Sequence, residues 1–85
     1  MCSQSSSLLL RLQVVADADP TALARVLERF QNLNIVPRRV TAESGTNDSL
    51  YISVDVFGLS EEQLTLITGK VRQAANVIDA HWCKI

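Results

Sequence analysis

The stretch "DADPTALARVLERF", residues 17–30, decides the fold because it marks where a strand ends and a helix begins. Asp19 has the short acceptor side chain of a helix N-cap, and Pro20 suits the first helical position, where its missing N–H costs nothing. Apolar residues then recur at the i, i+3, i+4 and i+7 spacing of one helical face: Leu23, Val26, Leu27 and Phe30. This spacing predicts an amphipathic helix that ends near "QNLN", residues 31–34.

Strands are predicted on both sides of this helix. In residues 7–15 every second side chain is apolar, as in a strand with one buried face: Leu8, Leu10, Leu12 and Val14. After the helix, "IVPRRVTAE", residues 35–43, predicts an edge strand, because Pro37 cannot donate a ladder hydrogen bond and the pair Arg38–Arg39 is charged. The cluster "SGTNDS", residues 44–49, predicts the turn of a hairpin.

The second half of the chain shows the same kinds of pattern. In "LYISVDVF", residues 50–57, one predicted strand face is apolar: Leu50, Ile52, Val54 and Val56. Ser60 and Gln63 form a capping box that begins a second helix. Its predicted buried stripe comprises Leu64, Ile67 and Val71, and Leu66 lies off that stripe. The last segment, "NVIDAHWCKI", predicts a strand whose inward side chains are Ile78, Ala80 and Trp82.

The order of elements is therefore strand, helix, strand, strand, helix, strand. One antiparallel sheet of four strands, with both helices on one face, buries every apolar stripe at once. The sequence thus predicts an α+β fold of the ferredoxin-like βαββαβ type. We expect residues 1–7 to be a flexible N-terminal arm and residues 8–85 to form a single domain.

Composition excludes several classes of protein. The net charge of -1 argues against a nucleic-acid binder, which should carry a basic face. The apolar run "LLLRLQVV", residues 8–15, is too short to span a membrane, and the N-terminus lacks the basic region of a signal peptide. Cys2 and Cys83 do not form a disulfide framework. We therefore expect a soluble, cytoplasmic protein with reduced thiols.

The sequence shows no catalytic constellation and implies no cofactor. The carboxylates of Asp17, Asp19, Glu61 and Glu62 all lie near helix N-termini, where they complement the helix dipole without any catalytic role. The single histidine, His81, has no cysteine-rich or histidine-rich neighbourhood in sequence, so a metal site is not predicted. Function must then be sought in binding and regulation.

The chain resembles an ACT domain, the small regulatory module of amino-acid metabolism. Within that family it is most similar to the short small regulatory subunits of acetolactate (acetohydroxyacid) synthase. The resemblance covers residues 8–85. It rests on the junction from Asp17 to Pro20, Asp-x-Asp-Pro, and on a helix and following step with these residues: Leu23, Val26, Leu27, Asn34 and Ile35.

The resemblance implies regulation without catalysis. ACT domains pair through edge strands, and an amino-acid effector binds at the interface between the first loop of one copy and the second strand of the other. Carried over to this chain, the candidate effector contacts are Ala18, Asp19, Thr21, Ala22, Asn34 and Ile35. The candidate homodimer seam comprises Ile35, Pro37, Arg39 and Val40.

This sequence departs from the ligand-binding members of the family at the first loop. Those members carry a glycine where Thr21 and Ala22 stand here, and an asparagine in the place of Ala18. We therefore expect a noncatalytic partner of the catalytic large subunit of a thiamine-dependent synthase, with a degraded effector site. Two alternatives stay open: a free-standing homodimer that binds an amino acid, and an interaction module without a ligand.

Overall fold

The computed structural model describes residues 9–85, so the expected arm at residues 1–7 and the inward position of Leu8 lie outside the described residues. Six elements follow one another: β1 (Leu9–Asp17), α1 (Pro20–Gln31), β2 (Arg39–Ser44), β3 (Ser49–Phe57), α2 (Glu61–Arg72) and β4 (Val77–Lys84). The strands form one sheet in the order β2-β3-β1-β4, and every neighbouring pair is antiparallel. The predicted ferredoxin-like βαββαβ fold is confirmed.

The core lies between one face of the sheet and the two helices. The central strands β1 and β3 contribute alternate residues to it, as the sequence pattern predicts: Leu10, Leu12, Val14, Ala16, Ile52, Val54 and Val56. The helices contribute Ala22, Val26, Phe30, Leu64, Ile67 and Val71. Leu23 and Leu27 are only partly buried, so the α1 stripe is rotated toward Ala22 relative to the predicted face.

Both helix starts are as predicted. Asp19 is the N-cap of α1, with Pro20 at the first helical position. The capping box of α2 is complete, because the Gln63 N–H donates to the Ser60 hydroxyl and the Ser60 N–H donates to the Gln63 side chain. Local capping chemistry therefore fixes where each helix begins.

Strand β2 begins later than the sequence indicates. Ile35 and Pro37, predicted as strand residues, precede the strand, which starts at Arg39. The reason is the backbone of Asn34, whose φ of 57° lies in the left-handed region and redirects the chain after α1. The predicted edge position is confirmed, because β2 is the first strand in the sheet order.

One predicted inward side chain on β4 is wrong. Ala80 is buried and Trp82 is half-buried, but Ile78 is 61% exposed. The register of β4 on β1 shifts between Val15 and Ala16, so that Val77, rather than Ile78, packs against the core. Such a bulge reverses the alternation of side chains along a strand, and nothing local in the sequence marks it.

Candidate functional site

The junction between β1 and α1 lies at the end of the sheet where two other loops meet it. The Asp17 N–H donates to the Asn76 carbonyl at 2.8 Å, and the Ala18 N–H donates to the Asp48 carbonyl at 2.8 Å. Asn76 belongs to the loop before β4, and Asp48 belongs to the β2–β3 hairpin. Two backbone donors of the first loop, including that of the candidate effector contact Ala18, are therefore already engaged by neighbouring loops.

The first turn of α1 is also occupied by contacts within the chain. The Thr21 N–H donates to the Asp19 carboxylate at 2.8 Å, and the Ala22 N–H donates to the Asp19 carbonyl at 2.9 Å. The hydrogen bond from the Thr21 backbone, followed by the one from its hydroxyl, lowers the pKa of Asp19. Pro20 has no N–H to offer. The donors that would hold a ligand carboxylate thus bind the chain's own N-cap.

The side chains at this junction differ in what they could present to a ligand. Ala22 is only 1% exposed and packs in the core, because α1 turns that position toward the sheet. Thr21 is exposed, and its hydroxyl donates to Asp19 at 2.7 Å. A core position such as Ala22 can contribute only its backbone to a binding site.

Asn34 ends α1 in a way that local structure explains. The Asn34 N–H donates to the Gln31 carbonyl at 3.0 Å, and the Ile35 N–H donates to the Phe30 carbonyl at 2.9 Å. With Asn34 in the left-handed region, this pair of bonds is a Schellman motif, in which Asn is the common substitute for Gly. Ile35 packs against the core beside it. Asn34 therefore has a structural role independent of any ligand.

One chain does not bring the two halves of the candidate effector site together. Ala18 and Asp19 precede α1, whereas Asn34 and Ile35 follow it. The helix has 12 residues and is therefore about 18 Å long at a rise of about 1.5 Å per residue. A site that uses both ends needs a second chain to supply one of them.

An apolar groove lies beside the open edge of β2. This groove, here called the edge groove, has a volume of about 500 Å³. The residues that line it include Leu27, Asn34, Ile35, Val36, Pro37 and Val40. Val36 is 88% exposed. Three of the four candidate seam residues, Ile35, Pro37 and Val40, therefore line one groove. The fourth, Arg39, lies on β2 opposite Asp55 of β3 in the strand register.

The sequence patterns did not reveal the ion pair on the open face of the sheet. Asp55 accepts from the Arg11 Nε at 2.7 Å and from the second guanidinium nitrogen at 3.1 Å, and it is only 5% exposed. Arg11 first, then Arg39 and Arg38, hold the pKa of Asp55 below its usual range. The ion pair could have been predicted only from the β1–β3 register, which places Arg11 directly opposite Asp55.

The histidine and the two aromatic residues of β3 lie on the open face of the sheet. His81 is exposed, and its Nε2 lies 2.8 Å from the Gln13 side-chain oxygen on β1. Tyr51 and Phe57 are half-exposed on the open face, and the Arg38 guanidinium lies 5.1 Å from the centre of the Phe57 ring. Among residues 9–85, no group of metal-ligating side chains converges, and no helix is long and apolar enough to cross a membrane.

Comparison with known proteins places this geometry in a family. The sequence profile of the ACT-like domain matches residues 3–85. No curated protein matches the sequence. The fold is similar to the C-terminal domain of MgtC from Mycobacterium tuberculosis, at 14% identity and a TM-score of 0.78 over 99% of this chain and 94% of that one.

Two further solved structures share the fold at low identity. The ACT domain of a GTP pyrophosphokinase from Chlorobium tepidum has 12% identity and a TM-score of 0.74, over 91% of this chain and 99% of that one. A homoserine dehydrogenase from Thiobacillus denitrificans has 13% identity and a TM-score of 0.74, over 92% of this chain but 17% of that one. Together with the profile match, these similarities lead to one conclusion: the chain belongs to the ACT-like domain family.

Proposed function

We propose that this chain is a noncatalytic regulatory module that acts as a homodimer paired through β2. The observation that carries the proposal is the open edge of β2 beside the apolar edge groove, in which Val36 is 88% exposed. An exposed sheet edge offers unpaired backbone groups to another strand, and an adjoining apolar groove supplies a surface to bury. A second copy would pair the backbone groups of β2 and bury the apolar groove at the same time.

The energetic case for pairing follows from the small size of the domain. A domain of 85 residues buries a modest fraction of its surface and gains stability from association. Covering the Val36 side chain in each copy contributes about 2 kcal/mol before the cost of association. The other sheet edge, on β4, adjoins a groove of mixed polarity, where Trp82 lies among polar and charged side chains: Thr65, Thr68, Arg72 and His81. These observations favour the β2 edge as the seam.

The partner that this dimer regulates is, in our proposal, the catalytic large subunit of a thiamine-dependent acetolactate synthase in the cytoplasm. Support comes from the resemblance of α1 and the following step to the small subunits of that enzyme, at Leu23, Val26, Leu27, Asn34 and Ile35. The same fold occurs within a homoserine dehydrogenase and a GTP pyrophosphokinase, so it accompanies enzymes elsewhere.

The test is reconstitution with the acetolactate synthase large subunit. Purified chain is mixed with that subunit, and the complex is measured by sedimentation while acetolactate formation is followed. We expect a complex at micromolar concentrations and a higher rate than the large subunit gives alone. Absence of a complex, with the large subunit shown to be active, would contradict this choice of partner.

The alternative of a free-standing amino-acid sensor is separated from this proposal by a thermal-shift screen. A ligand that binds only the folded state raises the unfolding midpoint. The engaged donors of Asp17, Ala18, Thr21 and Ala22 favour a flat response to all twenty amino acids. A saturable rise with one amino acid would instead support a functional effector site at the six candidate residues: Ala18, Asp19, Thr21, Ala22, Asn34 and Ile35.

A further inference from the structure

A second apolar groove lies between the C-terminal end of α1 and the exposed side of α2. This groove, here called the helix groove, has a volume of about 440 Å³. The residues that line it include Arg29, Leu33, Gln63, Leu66, Ile67 and Lys70. None of them lines the edge groove, so the two surfaces are separate.

The helix groove accounts for the position of Leu66, an apolar residue of α2 that lies outside the core. Leu66 lies off the buried stripe of α2 and is 64% exposed, and Leu33 is 52% exposed across from it. Along α2 the lining positions recur at i, i+3, i+4 and i+7, which is one continuous side of the helix: Gln63, Leu66, Ile67 and Lys70. Ile67 is buried and forms the floor. A concave surface with adjacent exposed leucines is typical of a binding groove.

The charges around the groove restrict what can occupy it. Arg29 and Lys70 line it, and no carboxylate does. In the described part of the chain the ion pairs lie elsewhere, so neither cation has an acidic partner. A second copy seated symmetrically on this groove would place the same cations opposite one another, which is unfavourable. Charge complementarity instead favours an occupant that carries carboxylates.

We infer that the helix groove binds an amphipathic helix of another protein, with large apolar side chains on one face and Asp or Glu beside them. Apolar anchors at i, i+3 or i+4, and i+7 are the usual contacts of a helix in such a groove. Leu33, Leu66 and Ile67 receive those anchors, and Arg29 and Lys70 pair with the flanking carboxylates. The identity of the protein that contributes this helix, the regulated catalytic chain, rests on the proposed function; the groove and its chemistry do not.

The groove itself is tested with a designed probe. The full chain, labelled with ¹⁵N, is titrated with a helical peptide of about 18 residues that has a leucine stripe flanked by glutamates. A control peptide carries lysines in place of the glutamates. We expect saturable amide shifts centred on Leu33, Leu66 and Ile67, and binding of the lysine peptide at least about tenfold weaker. Equal binding of both peptides, or shifts centred on β2, would overturn the inference.

Variants of the groove give the matched comparison. Leu66→Glu and Lys70→Glu should each weaken binding of the acidic peptide about tenfold, since the first removes an apolar anchor contact and the second replaces an attractive charge with a repulsive one. Arg25→Glu reverses a cation one turn away on α1, outside the groove, and should change binding less than about twofold. Unchanged binding by both groove variants would refute the site. Binding to vesicles of phosphatidylcholine and phosphatidylglycerol that Leu66→Glu abolishes would assign the groove to a membrane surface instead.

The same variants separate this inference from the proposed function. Leu66→Glu should weaken the complex with the acetolactate synthase large subunit while the mass of the homodimer in sedimentation is unchanged. If the unmodified chain binds the acidic peptide but not the large subunit, the proposed partner is wrong and the groove assignment stands. If Leu66→Glu binds the large subunit as well as the unmodified chain does, the groove assignment is wrong and the proposed function stands.

Discussion

At the scale of single residues, Asp55 has the most informative surroundings. Its carboxylate is almost fully buried although it lies on the open face of the sheet, because Arg11 covers it with two hydrogen bonds. Alternation in "LYISVDVF" predicts correctly that Asp55 points away from the core. Its burial could not be predicted, since burial depends on a partner 44 residues away in sequence.

The Arg11–Asp55 pair predicts a specific dependence of stability on pH. The folded state lowers the pKa of Asp55 below the ordinary value of about 3.9, so its stabilisation is present above that pH and is lost as pH falls through the folded value. We expect Asp55→Asn to cost about 1–3 kcal/mol in unfolding free energy at pH 7. The difference from the unmodified chain should shrink in acid.

Urea unfolding at a series of pH values checks this dependence. Asp19 also has a lowered pKa, so both proteins lose some stability in acid, and the informative quantity is the difference between them. Asp79→Asn, at an exposed position on β4, is the matched control and should change little. A constant difference between Asp55→Asn and the unmodified chain from pH 7 to pH 3 would contradict the pairing described here.

At the scale of elements, the helix starts could be predicted and some strand details could not. The caps at Asp19 and Ser60 are local, because donor and acceptor lie within three residues of each other. The start of β2 and the exposure of Ile78 depend on a left-handed residue and on a bulge against β1. The bulge arises from the pairing of β4 with β1 and the late start of β2 from the local turn at Asn34, and the alternation of apolar residues within one segment encodes neither.

The end of α1 predicts how Asn34 responds to substitution. Asn34 adopts φ of 57°, which glycine accepts freely and alanine does not. We expect Asn34→Gly to leave the unfolding free energy within about 0.5 kcal/mol of the unmodified chain, and Asn34→Ala to lower it by about 1 kcal/mol. Thermal and urea unfolding measure both. Equal losses in the two variants would show that the Asn34 side chain, rather than its backbone, stabilises the turn.

At the scale of the whole molecule, the single antiparallel sheet and the helical layer followed from the order of patterns along the chain. The candidate effector site comes from the family resemblance instead, and it stays a prediction, because its residues lie at opposite ends of α1 in one chain. The sequence likewise could not reveal that the donors at Asp17 and Ala18 are engaged by Asn76 and Asp48. The second point depends on contacts between loops that are distant in sequence.

The proposed seam predicts which surface substitution dissociates the homodimer. Val36→Asp places a charge in the edge groove, where a second copy would bury it without a partner. We expect sedimentation to show a dimer for the unmodified chain and a monomer for this variant at the same concentration. Ile78→Asp, at an exposed apolar position on the opposite edge strand, is the matched control and should remain dimeric. The reverse result would move the seam to β4.

The closed junction before α1 has a consequence for how an effector could ever act on this chain. A ligand carboxylate could reach the amides of Asp17 and Ala18 only after the hairpin and the loop before β4 had moved away. Breaking two hydrogen bonds costs about 2 kcal/mol, which leaves roughly one molecule in thirty open. Intrinsic affinity would be reduced by the same factor. Sensitivity could therefore be tuned by substitutions at Asp48 or Asn76 that never touch the ligand.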